Sequence, residues 1–127
     1  MTITEVAKEH GLTPDTLRYY EKVGLIPGVN RTPGGIRDYH EEDRRWIEFI
    51  KCMRGAGLPV DTLISYVRMF QEGDATIEER KTLLIEQRDA LASRIKDMQS
   101  TLERLNLKIK RYEDLIVPVE NELKNSK

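Results

Sequence analysis

The 127-residue chain has few of the residues that covalent and metal-based sites require. It contains one cysteine, Cys52, and two histidines, His10 and His40. A single cysteine cannot form an intrachain disulfide or a multi-cysteine metal site, and such sparing use fits a reducing compartment. The two histidines fall on separate predicted elements, so nothing in the sequence joins them as metal ligands. No metal, cofactor or disulfide is therefore expected.

Long apolar runs and phosphate-binding motifs are also missing. No stretch of about 18 apolar residues could span a membrane, and no N-terminal segment has the flanks of a signal peptide. There is no glycine-rich phosphate loop or zinc motif. No nucleophile, base and pocket can be assembled, so an enzyme is the least favoured class. These absences favour a cytoplasmic protein that has neither a membrane contact nor catalytic residues.

Neither sign of charge dominates the chain. Its 21 lysines and arginines and 22 acidic residues give a net charge of -1, which argues neither for nor against nucleic acid. Between Thr13 and Arg37, however, four basic residues accompany two acidic ones. The length fits one compact domain with an extension.

Capping signals predict two short helices near the N-terminus. Thr2 with Glu5 has the spacing of a capping box, and Gly11 ends that first helix. Thr13 followed by proline begins a second helix, which Gly24 ends. Two short helices joined by so tight a turn are typical of a helix-turn-helix motif, whose second helix enters the major groove.

The second helix has an inward and an outward face. Leu17 and Tyr20 are expected to pack inward, because residues three or four positions apart share a side of a helix. The opposite side is available to a partner. Its residues are Asp15, Arg18, Tyr19 and Lys22.

The segment from Pro27 to Tyr39 is rich in proline and glycine. This composition predicts a turn between two short extended pieces, which we interpret as a β-wing. Arg31 and Arg37 would flank its tip, from where guanidinium groups can reach phosphates or the minor groove.

Two further helices complete the predicted head, which spans residues 1–74. Apolar periodicity predicts a third helix over 41–54, and Pro59 begins a fourth. Thr76 with Glu79 has the spacing of another capping box at the start of the next helix.

The clearest periodicity lies in residues 75–117, which are predicted to form a long helix. Apolar residues recur every seven positions in two interleaved series, interrupted by Arg88. This stripe consists of Leu84, Leu91, Met98, Leu105 and Tyr112, with Ile95, Leu102, Ile109 and Ile116. So small a head cannot bury it, which favours a homodimeric coiled coil of undetermined strand direction. Pro118 is expected to end the helix, leaving 118–127 as a short polar tail and no ligand-binding domain.

Four sequence runs together resemble the MerR family of bacterial regulators. They are Ile3-Thr4-Glu5-Val6-Ala7, Thr16-Leu17-Arg18-Tyr19-Tyr20-Glu21-Lys22-Val23-Gly24-Leu25-Ile26, Arg37-Asp38-Tyr39 and Arg54-Gly55-Ala56-Gly57. The resemblance covers essentially the whole chain. It implies a mainly α fold, with a winged helix-turn-helix head followed by a long C-terminal helix that forms an antiparallel dimeric coiled coil. It also implies a homodimer that binds a palindromic promoter and, by distorting the spacer DNA, lets RNA polymerase engage both of its recognition elements.

The resemblance also implies the DNA contacts. It assigns Arg18, Tyr19 and Tyr20 to the recognition helix, and Arg37 and Tyr39 to the wing. Predicted exposure adds Thr13, Thr16 and Arg31. Arginine can fork onto phosphate or guanine, and tyrosine hydroxyls commonly donate to phosphates. Two alternatives stay open: Tyr20 in helix-to-wing packing, and Arg18 in an ion pair with Glu21 or Asp15.

Cys52 resembles the sensor of the single-cysteine branch of the family, which responds to aldehydes, nitrosothiols or related electrophiles. The thiolate is the reactive form, and Lys51 and Arg54 can favour it if their side chains turn toward the sulfur. The alternative is a small buried hydrophobe beside Phe49 and Ala56. Metal-sensing relatives carry several further cysteines, and multidrug-sensing relatives append a ligand domain, so both of those branches are disfavoured.

Other functions stay open on the sequence alone. Cys52 could be structural in a MerR-like regulator that answers another signal, and the regulator could act only as a repressor. A coiled-coil interaction protein without sequence-specific DNA binding is the third alternative. It would leave Arg18, Tyr19 and Arg37 without a shared role.

Overall fold

The computed structural model describes residues 1–125, except the side chains of Ile116 and Asn125. The chain divides after Gln87 into a head unit and a C-terminal unit. The head unit therefore continues beyond residue 74, where the sequence placed its boundary.

Four helices and the beginning of a fifth form the head unit. They are α1 (Ile3–His10), α2 (Pro14–Val23), α3 (Glu41–Gly55), α4 (Val60–Glu72) and the start of α5 (Ile77–Arg111), which a 3-10 turn (Asp74–Thr76) precedes. The helices begin and end close to the predicted residues, because their ends carry strong local signals. The helix-turn-helix formed by α1 and α2 is confirmed.

The caps of α1 and α2 explain why these short helices form. Thr2 and Glu5 make the expected capping box, and the Thr13 hydroxyl accepts a hydrogen bond from the backbone of the first turn of α2. Gly11 and Gly24 end the two helices at φ 65° and 85°. This left-handed conformation favours glycine, so both turns depend on it.

The wing follows α2. Arg31 and Arg37 form an isolated antiparallel bridge, and the Gly35 N–H donates to the Thr32 carbonyl at 2.9 Å to close the turn between them. The predicted β-wing is confirmed in its position and its turn. Over the described residues it is one bridge rather than a pair of strands.

The core of the head lies where α1, α2, the base of the wing, α3 and α4 meet. Leu17 is 0% exposed and Tyr20 is 7% exposed, which confirms the inward face of α2. Burial of a leucine side chain contributes about 1.5–3 kcal/mol to the free energy of folding. The buried cluster is Val6, Ala7, Leu17, Tyr20, Leu25, Ile26, Val29, Tyr39, Ile47, Ile50, Leu58 and Leu63.

The joint between α4 and α5 differs from the prediction. Thr76 does not cap α5 with Glu79; it is 6% exposed and sits in the 3-10 turn. Its hydroxyl lies 2.6 Å from the Met69 carbonyl and 2.8 Å from the Gly73 carbonyl, both at the end of α4. Gly73, at φ 100° and ψ -165°, turns the chain between the two helices. Within the described residues the Thr76 oxygen accepts from Arg80 Nε at 3.1 Å, and no hydrogen bond from the first turn of α5 reaches it.

Pro118 does not end the C-terminal helix, so that prediction is wrong. A π-helical turn (Tyr112–Ile116) follows α5, and α6 (Val117–Asn125) continues beyond the proline. The Val117 N–H donates to the Tyr112 carbonyl five residues earlier, which places Pro118 in the first turn of α6. Because the helix is continuous here, Pro118 lacks a donor for the preceding turn, and the wide π turn is where the helix accommodates this gap. Ser126 and Lys127 of the predicted tail lie outside the described residues.

The apolar stripe is largely exposed in the C-terminal unit. Its described residues there between Ile95 and Tyr112 are 51% to 68% exposed: Ile95, Met98, Leu102, Leu105, Ile109 and Tyr112. Contiguous exposed apolar surface of this kind marks an interaction site. None of the helices in the described part of the chain has the length and hydropathy that a bilayer span requires.

Candidate nucleic-acid interface

The outer face of α2 is exposed as predicted. It carries Asp15, Arg18, Tyr19 and Lys22, with Tyr19 47% exposed. Arg18 Nη1 donates to Asp15 Oδ1 at 2.7 Å, so the ion pair left open by the sequence forms with Asp15. The two side chains are 49% and 94% exposed. A pair this exposed contributes about 0.3–0.5 kcal/mol, which a phosphate can readily replace.

Thr13 and Thr16 lie together at the N-terminus of α2. Thr13 Oγ1 accepts from the Thr16 N–H at 3.1 Å and lies 2.9 Å from Thr16 Oγ1. Thr13 is exposed and Thr16 is half-buried. A helix N-terminus attracts phosphate, so their place suits a backbone contact, which stays a prediction.

Glu21 joins α2 to the wing. Its Oε1 accepts from Arg37 Nε at 2.6 Å, and its Oε2 accepts from the Val29 N–H at 2.8 Å. The Arg37 and Glu21 side chains are 24% and 16% exposed, so the pair is partly shielded from water. The wing is thereby fastened to the recognition helix.

The charge of Glu21 follows from the same contacts. Burial alone would raise the pKa of its carboxyl, but the hydrogen bonds from Arg37 and Val29 and the charges of Arg37 and Arg31 outweigh it. The pKa of Glu21 therefore lies below its ordinary value. An ionised carboxylate beside the bridge offsets the repulsion between two arginines that face each other across it.

The two wing arginines are placed differently. Arg31 is exposed, and its Nη1 donates to the Gly35 carbonyl at 3.0 Å. Arg37 is half-buried on Glu21. Both belong to the same bridge, and the charges of both act on the Glu21 carboxylate of α2.

Tyr20 and Tyr39 are buried, whereas both had been assigned to the DNA contacts. Tyr20 is 7% exposed, which is the packing role that the sequence left open. Tyr39 is 2% exposed, because it follows the bridge at the base of the wing and its ring enters the core. Burial raises the pKa of both hydroxyls, against the opposing charges of Arg54 at Tyr20 and chiefly Arg37 at Tyr39. A DNA contact by Tyr39 would require the ring to leave the core.

Cys52 is exposed on α3, which does not match the alternative of a buried hydrophobe. The Lys51 ammonium donates to the His10 carbonyl, and Arg54 Nη1 donates to the Leu58 carbonyl at 2.7 Å. Neither cation makes a hydrogen bond to the sulfur in the described residues. The turn toward the thiol that the sequence required of Lys51 and Arg54 is therefore not seen.

The two histidines of the head have structural partners. His10 is 9% exposed, with Nδ1 at 2.9 Å from Glu48 Oε2, and His40 stands at the N-cap of α3. The Asp43 carboxylate accepts from the His40 N–H at 2.8 Å, so an acidic residue caps this helix. Among the described residues no group of histidine, cysteine and carboxylate side chains could hold a metal ion.

Sequence reasoning overlooked the role of Glu21. The signal for it was a carboxylate inside the Arg-Tyr-Tyr-Glu run, followed by two arginines in the wing. The contacts between Glu21 and Arg37 and between His10 and Glu48 span 16 and 38 residues. Such pairs follow from the tertiary fold rather than from local spacing.

Comparison with known proteins agrees with this geometry. Residues 1–70 match the family model of the MerR HTH family regulatory proteins, and residues 44–107 match the model described as MerR, DNA binding. The HTH-type transcriptional regulator AdhR of Bacillus subtilis (strain 168) is 60% identical over 91 residues, which cover 72% of this chain. The match spans 65% of AdhR, slightly less than two thirds of its length.

Two solved structures are similar over nearly the whole chain. A Listeria monocytogenes protein assigned to the MerR family superposes with a TM-score of 0.93 at 44% identity, covering 98% of this chain and 95% of that one. HiNmlR, a MerR family regulator lacking the sensor domain and bound to promoter DNA, superposes with a TM-score of 0.83 at 28% identity, covering 91% and 92%. With a recognition helix, a wing and a family model that spans more than half of its length, the chain belongs to the MerR family of DNA-binding transcriptional regulators.

Proposed function

We propose that this regulator binds a palindromic promoter as a homodimer and activates transcription by distorting the spacer DNA. The observation that carries the proposal is that Glu21 fastens the wing to the recognition helix through Arg37 and Val29. The likeness to HiNmlR, a MerR family regulator solved bound to promoter DNA, supports promoter binding. RNA polymerase would then engage the reshaped promoter.

The exposed stripe of the C-terminal unit supports the homodimer. Its apolar side chains would leave water if a second copy of the helix packed on them. We take the pair as antiparallel, following the family resemblance. Two heads held at a fixed separation can read two half-sites of a palindrome, since half-site spacing mirrors the two-fold symmetry of the protein.

We propose further that electrophiles such as aldehydes act through Cys52. The exposed thiol can be reached from solvent. Its thiolate would bond to the carbonyl carbon of an aldehyde, and the carbonyl oxygen would take up a proton to give a hemithioacetal. This product adds bulk to α3, the helix that Lys51 and Arg54 tie to the His10 and Leu58 carbonyls. Altered packing of α3 would shift the dimer between two DNA-bound conformations.

The second candidate function is a regulator that responds to another signal and in which Cys52 has no sensing role. It is favoured by the carbonyl contacts of Lys51 and Arg54, because cations engaged there do less to stabilise a thiolate.

One experiment tests DNA binding. Fluorescence anisotropy compares a palindromic promoter fragment with a scrambled one at several salt concentrations. A preference for the palindrome supports the regulator. Equal binding to both fragments would contradict it.

A second experiment tests the sensor. Transcription from that promoter is measured with and without an aldehyde for the intact protein, for Cys52→Ala, and for Ser100→Cys in the Cys52→Ala background. Ser100 lies exposed on α5 and controls for the mere presence of a thiol. Only the intact protein is expected to respond. A full response by Cys52→Ala would assign the signal elsewhere.

A further inference from the structure

We infer that Glu21 is a positioning residue for DNA binding, which holds the Arg37 guanidinium in the orientation that grips a backbone phosphate. The inference rests on the proposed function, because it takes Arg37 as a DNA contact. It assigns a role to a carboxylate that would by itself repel DNA.

The geometry of Arg37 supports this role. Its contact with Glu21 is made through Nε, at 2.6 Å. Within the described residues its two terminal nitrogens make no hydrogen bond, and the side chain keeps 24% of its exposure. A guanidinium group is planar with donors in a fixed fork, so anchoring Nε also sets the plane of the two remaining nitrogens. Those nitrogens match two oxygens of a phosphate.

Glu21 is itself held in place. Its second oxygen accepts from the backbone N–H of Val29, which is 7% exposed at the base of the wing. A Cβ added at Gly28 would lie 4.0 Å from Oε2, so the backbone passes close to the carboxylate. The carboxylate therefore links α2, the base of the wing and the guanidinium in one arrangement. An arginine without this anchor would lose side-chain entropy on binding DNA, which the anchored one has lost already.

Simple electrostatics predicts the opposite consequence for a substitution. Removing a negative charge beside a polyanion should strengthen binding, because phosphate contacts dominate affinity. If Glu21 positions Arg37, removing its charge should weaken binding instead. The sign of the change therefore separates the two accounts.

The experiment measures the affinity of Glu21→Gln for the promoter fragment, with Asp15→Asn as the matched control on the same helix. Both substitutions remove one carboxylate and keep the side-chain shape. We expect Glu21→Gln to bind about tenfold more weakly, as the loss of a charge-assisted hydrogen bond implies. Asp15→Asn should bind more tightly, because it releases Arg18. Tighter binding by Glu21→Gln would overturn the inference.

A double-mutant cycle separates positioning from a general structural role. Arg37→Ala should weaken binding, and Glu21→Gln should add no further weakening in that background. A further loss of similar size in the double variant would show that Glu21 acts through something other than Arg37. Wild-type affinity in Arg37→Ala would instead remove the proposed DNA contact itself, so the two failures are distinguishable.

Arg37→Lys covers the case in which Glu21→Gln folds poorly. Lysine keeps the charge for phosphate but has no Nε–H with a planar fork to anchor. We expect it to weaken binding about as much as Glu21→Gln while thermal unfolding stays near wild type. Wild-type affinity in Arg37→Lys would overturn the inference.

Discussion

Leu105 and Leu107 form a matched pair for testing the apolar stripe. Both lie on α5, and they are 56% and 63% exposed. Only Leu105 belongs to the stripe. Two residues of an α-helix span a rotation of about 200°, so the Leu107 side chain lies on nearly the opposite side. A partner helix on the stripe would cover Leu105 and leave Leu107 in water. We therefore expect Leu105→Ala to weaken the dimer and Leu107→Ala to leave it unchanged.

The size of the effect follows from the surface that Leu105 leaves exposed. Complete burial of a leucine side chain contributes about 1.5–3 kcal/mol. Covering the exposed 56% contributes about 1 kcal/mol in each protomer. With two copies in a homodimer, Leu105→Ala should cost about 2 kcal/mol, or about thirtyfold in the dissociation constant. A cavity left at the interface would add to this cost.

Sedimentation equilibrium measures the dissociation constant, and the concentration dependence of Tm gives an independent check. Equal weakening by Leu105→Ala and Leu107→Ala would refute a two-stranded stripe, because both faces of α5 would then be buried. No weakening by either would refute dimerisation through this helix.

Two further predictions concern the head. Tyr39→Phe removes a buried hydroxyl that has no hydrogen-bond partner in the described residues. We expect unfolding free energy to stay the same or rise by up to about 1 kcal/mol, with unchanged DNA affinity by anisotropy; a clear loss of affinity would restore Tyr39 as a DNA contact. Because the pKa of Glu21 is lowered in the folded chain, its stabilising contribution is present above the ordinary titration range of glutamate and is lost as the pH falls through the folded pKa. Urea unfolding at a series of acidic pH values should show that the unfolding free energy of Glu21→Gln falls less steeply with pH than that of the wild type. The same dependence on pH in both proteins would contradict this.

The helices of the head could be predicted because their ends carry local signals. A threonine that caps its own helix, such as Thr13, and a glycine at positive φ, such as Gly24, act within a few residues of chain. The faces of α2 followed from the helical period, which placed Leu17 inside and Arg18 outside.

The rest depended on contacts that local patterns do not encode. Tyr39 was expected on the wing surface, yet its ring enters the core because the chain turns into α3 at that point. Thr76 had the spacing of a cap, but its hydroxyl donates toward the end of α4 and its oxygen accepts from the Arg80 side chain. Pro118 was expected to stop a helix, and the preceding π turn shifts the hydrogen-bond register so that the helix continues. In each case the sequence identified the residue, but not the tertiary or helical context that decides where its side chain lies or whether the helix ends.

The joint at Gly73 has a consequence for how α5 can act on the head. A side chain at φ 100° and ψ -165° would be strained, and the buried Thr76 hydroxyl lies within hydrogen-bond distance of two carbonyls at the end of α4. The joint between α4 and α5 therefore resists bending. If the start of α5 moved, α4 would rotate with it, because the joint between the two helices bends little.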